Sequence, residues 1–151
     1  ALLQAVRAAA LAAGATAMEA GLAALKTDGD PAEVARAAVR AIGAGYLRFA
    51  QTETGLFRTA FGPPLDVEGA PDEAKGGRSG LNPLELLGAA LDQLVAAGAL
   101  PPERRPGAEF LAWSAVHGLA LLIIDGPLRG MPREQTDVLG RQLLDMVEKG
   151  L

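Results

Sequence analysis

The chain has no cysteine, one histidine, one tryptophan and one tyrosine, and only 4% of its 151 residues are aromatic. Without cysteine there is no disulfide framework and no thiolate chemistry, which fits a reducing, cytoplasmic setting. A single histidine leaves any metal site dependent on carboxylates. Those carboxylates stand mostly at helix starts and in loops, where capping and solvation account for them; Asp28 with Asp30, and Asp72 with Glu73, flank turns. Neither a G-x-S-x-G elbow nor an H-E-x-x-H pair occurs. An enzyme would need a buried carboxylate near His117, and the segment around His117 supplies none within a turn on that face. No catalytic centre, cofactor or metal is expected.

Positive charge is also scarce. Fourteen basic against eighteen acidic residues give a net charge of −4. Binding to DNA or RNA phosphates needs a concentrated basic face, and the nearest approach to one is Glu103-Arg104-Arg105. Strand patterns are missing as well: neither alternation nor runs of β-branched residues occur. The longest apolar run, Phe110 to Ile124, falls short of the roughly 20 residues a membrane span needs. It has Gly118 at its centre and no flanking aromatic belts, so a buried helix is expected and no membrane association. The chain opens on alanine with no signal-peptide pattern, and is read as residues 1–151 of a longer polypeptide, a single domain.

What the sequence does have is alanine and helix punctuation. Half the residues are hydrophobic, and alanine, the best helix former, supplies much of that half. A domain of this length buries about 68–70% of its unfolded surface. Leu2, Val6, Ala9, Ala13 and Ala17 recur at helical spacing toward Leu22 and Leu25, interrupted by Gly14 and Gly21, until Thr27-Asp28-Gly29. Asp30-Pro31-Ala32-Glu33 and Asn82-Pro83-Leu84-Glu85 both read as helix starts, with a capping residue, proline at the first position and glutamate where a capping box places it. The first leads a stripe of Val34, Ala38, Ile42, Gly45 and Phe49. The second leads Leu84, Leu87, Leu91, Leu94 and Val95, ended by Gly98. Gly55 separates a short turn carrying Leu56, Phe57 and Phe61.

Gly62 to Leu81, rich in glycine, proline and charge, is expected to be a solvated, mobile loop. After Pro101-Pro102, a helix from near Pro106 reaches Asp125, and a last one from about Pro132 carries Leu139, Leu143, Met146 and Val147. The expected fold is all-α, with five long helices plus a short one.

The penultimate helix is apolar on every side, and it holds both Trp113 and His117, one turn apart on one face. His117 reads first as a neutral core histidine bonded to a carbonyl or hydroxyl, and second as a polar anchor in an apolar ligand cavity. Tyr46, Phe49, Phe57 and Phe61 read as core first and cavity lining second. On another side, Ala112, Ala115 and Gly118 form a small-residue surface that lets a helix approach closely. A second copy of the chain could cover that side, two helices from each making a symmetric four-helix bundle.

Trp113-Ser114-Ala115-Val116-His117-Gly118, a W-x-x-x-H-G pattern, resembles the signature of one class of C-terminal domain in the TetR family of bacterial transcription regulators. Tyr46-Leu47-Arg48-Phe49-Ala50, followed by Leu56-Phe57-Arg58 and Phe61-Gly62, is similar to that class's Y-x-R-F-A … L-F-R-x-x-F. Leu2-Leu3-Gln4-Ala5-Val6 looks like the start of the helix that follows the DNA-binding module. Thr54-Gly55 stands where the family often has proline, so the helix break there differs. The resemblance implies a ligand-sensing homodimer, a repressor that touches DNA only through a helix-turn-helix module ahead of residue 1 and releases it on binding a small apolar effector. On helical phase, the expected cavity residues are Trp113, His117, Tyr46, Phe49, Phe57, Leu87, Leu91, Met18 and Leu22. The expected dimer face is Ala115, Gly118, Leu119, Leu122, Leu139, Leu143, Met146 and Val147. The rival reading is a self-standing helical dimerisation module with a filled, dry core and no small ligand.

Overall fold

The computed structural model describes residues 2–63 and 72–151. Among them there are six α-helices and no strand: α1 (Leu2–Ala23), α2 (Pro31–Thr52), α3 (Thr54–Phe61), α4 (Pro83–Ala96), α5 (Ala108–Ile124) and α6 (Arg133–Gly150). Two short 3-10 turns, Asp72–Lys75 and Pro102–Arg104, join the connections. The all-helical fold and the one short helix agree with the sequence reading; the 3-10 turns are additional.

The punctuation acts as its chemistry dictates. The Asp30 carboxylate accepts from the Glu33 amide at 3.1 Å, and Pro31 follows it. Glu33 does not close a reciprocal box but pairs with Arg36 at 2.6 Å. At α4 the box is complete: Asn82 accepts from the Glu85 amide at 2.9 Å, and Glu85 accepts from the Asn82 amide at 3.0 Å. These bonds satisfy backbone donors that a helix start leaves unpaired. Gly98, at φ 73°, ends α4 in a left-handed turn that an alanine would resist.

Helix α2 is the axle. It is buried along most of its circumference, through Ala38, Val39, Ile42, Gly43, Tyr46, Leu47, Phe49 and Ala50, and each of the other five helices packs against it. Glycines set how closely α1 lies on it. A Cβ on Gly45 would stand 2.9 Å from the Met18 Cα, and one on Gly14 would stand 3.2 Å from the Phe49 ring. Gly14 and Gly21 each weaken a helix by about 1 kcal/mol against alanine. Their return is contact: Gly14 faces Phe49, and Gly21 faces the Ala41 carbonyl.

Two expectations are corrected. The buried face of α1 is Ala8, Ala10, Gly14, Ala15 and Met18, whereas Leu2, Val6 and Ala9 of the expected stripe are exposed. Alanine on all sides of this helix leaves its phase without contrast. The second half of the 62–81 connection is not a free loop. Asp72–Lys75 packs on α1, and the Glu19 carboxylate accepts from the amides of Arg78 at 2.9 Å and Ser79 at 2.7 Å. Burial alone would raise the Glu19 pKa, but the hydrogen bonds from Ser79 and Arg78 outweigh it and hold the pKa below the usual carboxylate range. The first half, 64–71, lies outside the described residues.

Ion pairs tie the later helices in place. The Glu148 side chain, 8% exposed, is held by Arg40 and by Arg36, the latter at 3.4 Å, so α6 is pinned to α2. Arg105 links Asp92 of α4, at 2.7 Å, to Glu109 of α5, at 2.5 Å. Arg58 of α3 pairs with Asp125 at the end of α5. No helix among the described residues is long and apolar enough to cross a membrane.

Candidate functional site

Three polar side chains meet where α5 crosses α2. The Trp113 indole N–H donates to the Tyr46 hydroxyl at 3.0 Å, and that hydroxyl lies 2.6 Å from His117 Nδ1. An indole nitrogen only donates, so the phenol oxygen accepts from Trp113 and shares a second hydrogen bond with the imidazole. Burial lowers the His117 pKa and raises that of Tyr46, the latter opposed by the bond from Trp113. Both groups are thus held uncharged.

Aromatic rings fix this relay. Phe57 stacks on His117 at 5.8 Å and meets Tyr46 edge-on at 5.2 Å; Phe61 lies 4.8 Å from Tyr46 and 6.4 Å from Trp113. Such offset and edge-on pairs each contribute about 0.5–1.5 kcal/mol beyond burial. Three helices supply the parts: α5 carries Trp113 and His117, α3 carries both Phe57 and Phe61, and α2 carries Tyr46 with Phe49 behind it.

Beside the relay is a cavity of about 370 Å³, with walls from all six helices. Helix α1 contributes Arg7, Leu11 and Met18; α2 contributes Val39, Ile42, Gly43 and Tyr46; α3 ends on it with Ala60, Phe61 and Gly62. Asn82, Pro83, Leu84 and Leu87 come from the start of α4, Ala112, Trp113 and Val116 from α5, and Leu144 and Val147 from α6. This size and apolar character fall in the range of small-molecule sites.

Of the nine residues expected on the cavity, Trp113, Tyr46, Leu87 and Met18 stand on its wall. The others stand elsewhere. Phe49 (3% exposed), Phe57 (1%) and Leu91 (0%) are sealed in the core behind the wall, and Leu22 packs on the core in the last turn of α1. His117 reaches the cavity only through the Tyr46 hydroxyl, because Phe57 and Tyr46 occupy its sides. Arg7, Leu11, Val39, Val116 and Leu144 were not legible as wall. Arg7, Leu11 and Met18 do share one face of α1, at i, i+4 and i+11, but a charged residue at the head of that series reads as solvent-facing.

The expected dimer face divides in two. Gly118, Leu122 and Met146 are exposed, and Ala115 and Leu139 are half-buried. Leu119, Leu143 and Val147 instead pack on the chain's own core, and Val147 is also cavity wall. Helical phase alone gives two apolar sides to α6 and does not say which one its own chain covers. Phe110 (55% exposed), Leu111 (67%), Leu121 (41%) and Val138 extend the outer face instead. Only one side of α5, Ala108, Ala112, Val116 and Ala120, is covered by its own domain.

A family model described as "Tetracyclin repressor-like, C-terminal domain" matches residues 39–147, from within α2 to within α6. No curated protein and no solved structure matches the chain.

Proposed function

The chain belongs to the family of tetracyclin repressor-like C-terminal domains, and on that premise we propose that it is the ligand-sensing, dimerising domain of a transcriptional repressor. The observation that carries this reading is the apolar cavity itself, lined by all six helices and edged by the Tyr46 hydroxyl and the Trp113 indole. A filled, dry core would have favoured a plain interaction module, and the cavity argues against that alternative.

The mechanism is linkage. A small, mostly apolar effector in the cavity touches α1 at Leu11 and Met18, and α5 and α6 at Val116 and Leu144. It therefore biases how α1 sits relative to the outer face of α5 and α6. If that face holds a second copy, the two α1 helices set the separation of two DNA-reading modules, which must match half-sites about 34–36 Å apart. An effector that prefers the mismatched arrangement releases the DNA, and the coupling is reciprocal: operator DNA weakens effector binding by the same factor.

The test uses Trp113, the only tryptophan, as reporter. A panel of small apolar molecules is titrated while its fluorescence and the melting temperature are followed, in wild type and in Val116→Phe, which fills the cavity. Saturable binding that Val116→Phe abolishes supports the reading. A panel in which nothing binds, with Val116→Phe simply more stable, returns the chain to the interaction-module alternative.

A further inference from the structure

We propose that the cavity selects amphipathic anions: small molecules with one carboxylate head, seated on Arg7, and an apolar body running along α1 toward Met18. This rests on the cavity being the effector site.

Arg7 is the only charged residue on the wall among the described residues. It makes no hydrogen bond or ion pair to any described residue, whereas Arg36, Arg40, Arg58 and Arg105 are all paired with carboxylates. Among the described residues, no acidic side chain stands on the wall to neutralise it. The other polar groups there are already engaged. Trp113 donates to Tyr46, Tyr46 and His117 share a hydrogen bond, and the Asn82 side-chain oxygen accepts from the Glu85 amide. Arg7 is thus the one ionic group among the described residues that faces a guest, and it is a donor that matches a carboxylate in two-bond geometry.

Its position fits a head rather than a belt. Arg7 and Met18 lie eleven residues apart on one face of α1, which at about 1.5 Å per residue separates them by roughly 16 Å. Among the described residues, everything else that meets the cavity is apolar or takes part in a hydrogen bond. Helix α1 also lies outside the 39–147 family match, so this selectivity belongs to this chain and not to the matched region.

The experiment titrates the chain at pH 8 with straight-chain carboxylates from hexanoate to decanoate, and with the alcohols of matching length, following Trp113 fluorescence and calorimetric heat. Wild type should bind the carboxylate at least about tenfold more tightly than the matched alcohol. Arg7→Gln should lower carboxylate affinity on the order of tenfold to a hundredfold, the range of a charge-assisted hydrogen bond, and leave alcohol binding and the melting temperature unchanged. Arg7→Lys should recover part of the loss. Equal affinity for acid and alcohol, or no response to Arg7→Gln, overturns the selectivity while leaving the cavity as a ligand site. If neither probe series binds, both this inference and the function on which it rests fall.

Discussion

The Tyr46 hydroxyl and Nδ1 of His117 share a hydrogen bond of 2.6 Å, joining α2 to α5 across 71 residues of chain. Because the same oxygen accepts from Trp113, one phenol satisfies two ring nitrogens. Tyr46→Phe should therefore cost more than a single lost bond, about 1–3 kcal/mol, since two partly buried polar groups lose their partner. Urea unfolding followed by Trp113 emission measures it, and an unchanged midpoint would show that water replaces the hydroxyl without penalty.

The same relay sets a pH dependence. Burial lowers the His117 pKa below its ordinary 6.5, so the unfolded chain takes up that proton more readily than the folded one. The contribution to stability is complete above about pH 6.5 and is lost as pH falls below it toward the lowered folded value. Glu19 and Asp125, both held below their ordinary carboxylate values, enter only at lower pH. Melting curves at pH 7.5 and 5.5 should differ in wild type and differ less in His117→Gln. Equal slopes in the two proteins would remove His117 as the cause.

Two glycines should respond in opposite ways to alanine. At Gly45 the new Cβ meets backbone, the Met18 Cα at 2.9 Å and the Ala17 carbonyl at 3.1 Å. Overpacking of this kind costs about 1–3 kcal/mol, against a helix-propensity gain of about 1 kcal/mol, so Gly45→Ala should lower the melting temperature. Gly118 has nothing within 4 Å of a built Cβ, and Gly118→Ala should stabilise the isolated chain by roughly 0.5–1 kcal/mol. Thermal unfolding at low protein concentration decides both.

Leu111 tests the outer face. It is 67% exposed, so Leu111→Glu should alter the fold of a single chain by no more than about 0.5 kcal/mol. On a dimer face it buries a charge, and sedimentation should find monomers where wild type gives dimers. Val147→Glu, by contrast, should destabilise the chain itself, because Val147 packs inward. A Leu111→Glu protein that stays dimeric moves the interface off α5.

Local chemistry was legible in the sequence, and so was the phase of α2 and α4, whose expected stripes are largely buried; the phase of α1 and α6 was not. Asp30, Asn82 and Gly98 each act within a few residues, so their roles follow from spacing alone. Trp113 and Tyr46 stood out because large rings in an alanine-rich chain have few places to go. Helix α1 was misread because Ala5, Ala8, Ala9, Ala10, Ala12 and Ala13 surround it with the same side chain. Leu143 and Val147 looked like interface because α6 has apolar residues on two sides, and only the position of α2 and α5 shows which side is inward. Arg7 was missed for the opposite reason: helical charge usually marks solvent, and nothing local says that a cavity lies beside it.

Gly43 and Leu144, which face each other on the cavity wall, together fix how large that chamber is. The Leu144 side chain fills the space that any Cβ at position 43 would need, and both residues border the cavity. A single-nucleotide-scale change at Gly43 would push Leu144 inward and shorten the largest guest the chamber accepts, while a smaller residue at position 144 would lengthen it. Because Leu144 rides on α6, the same step would also change how α6 sits on α2, so the size of the chamber and the seating of that helix are set together.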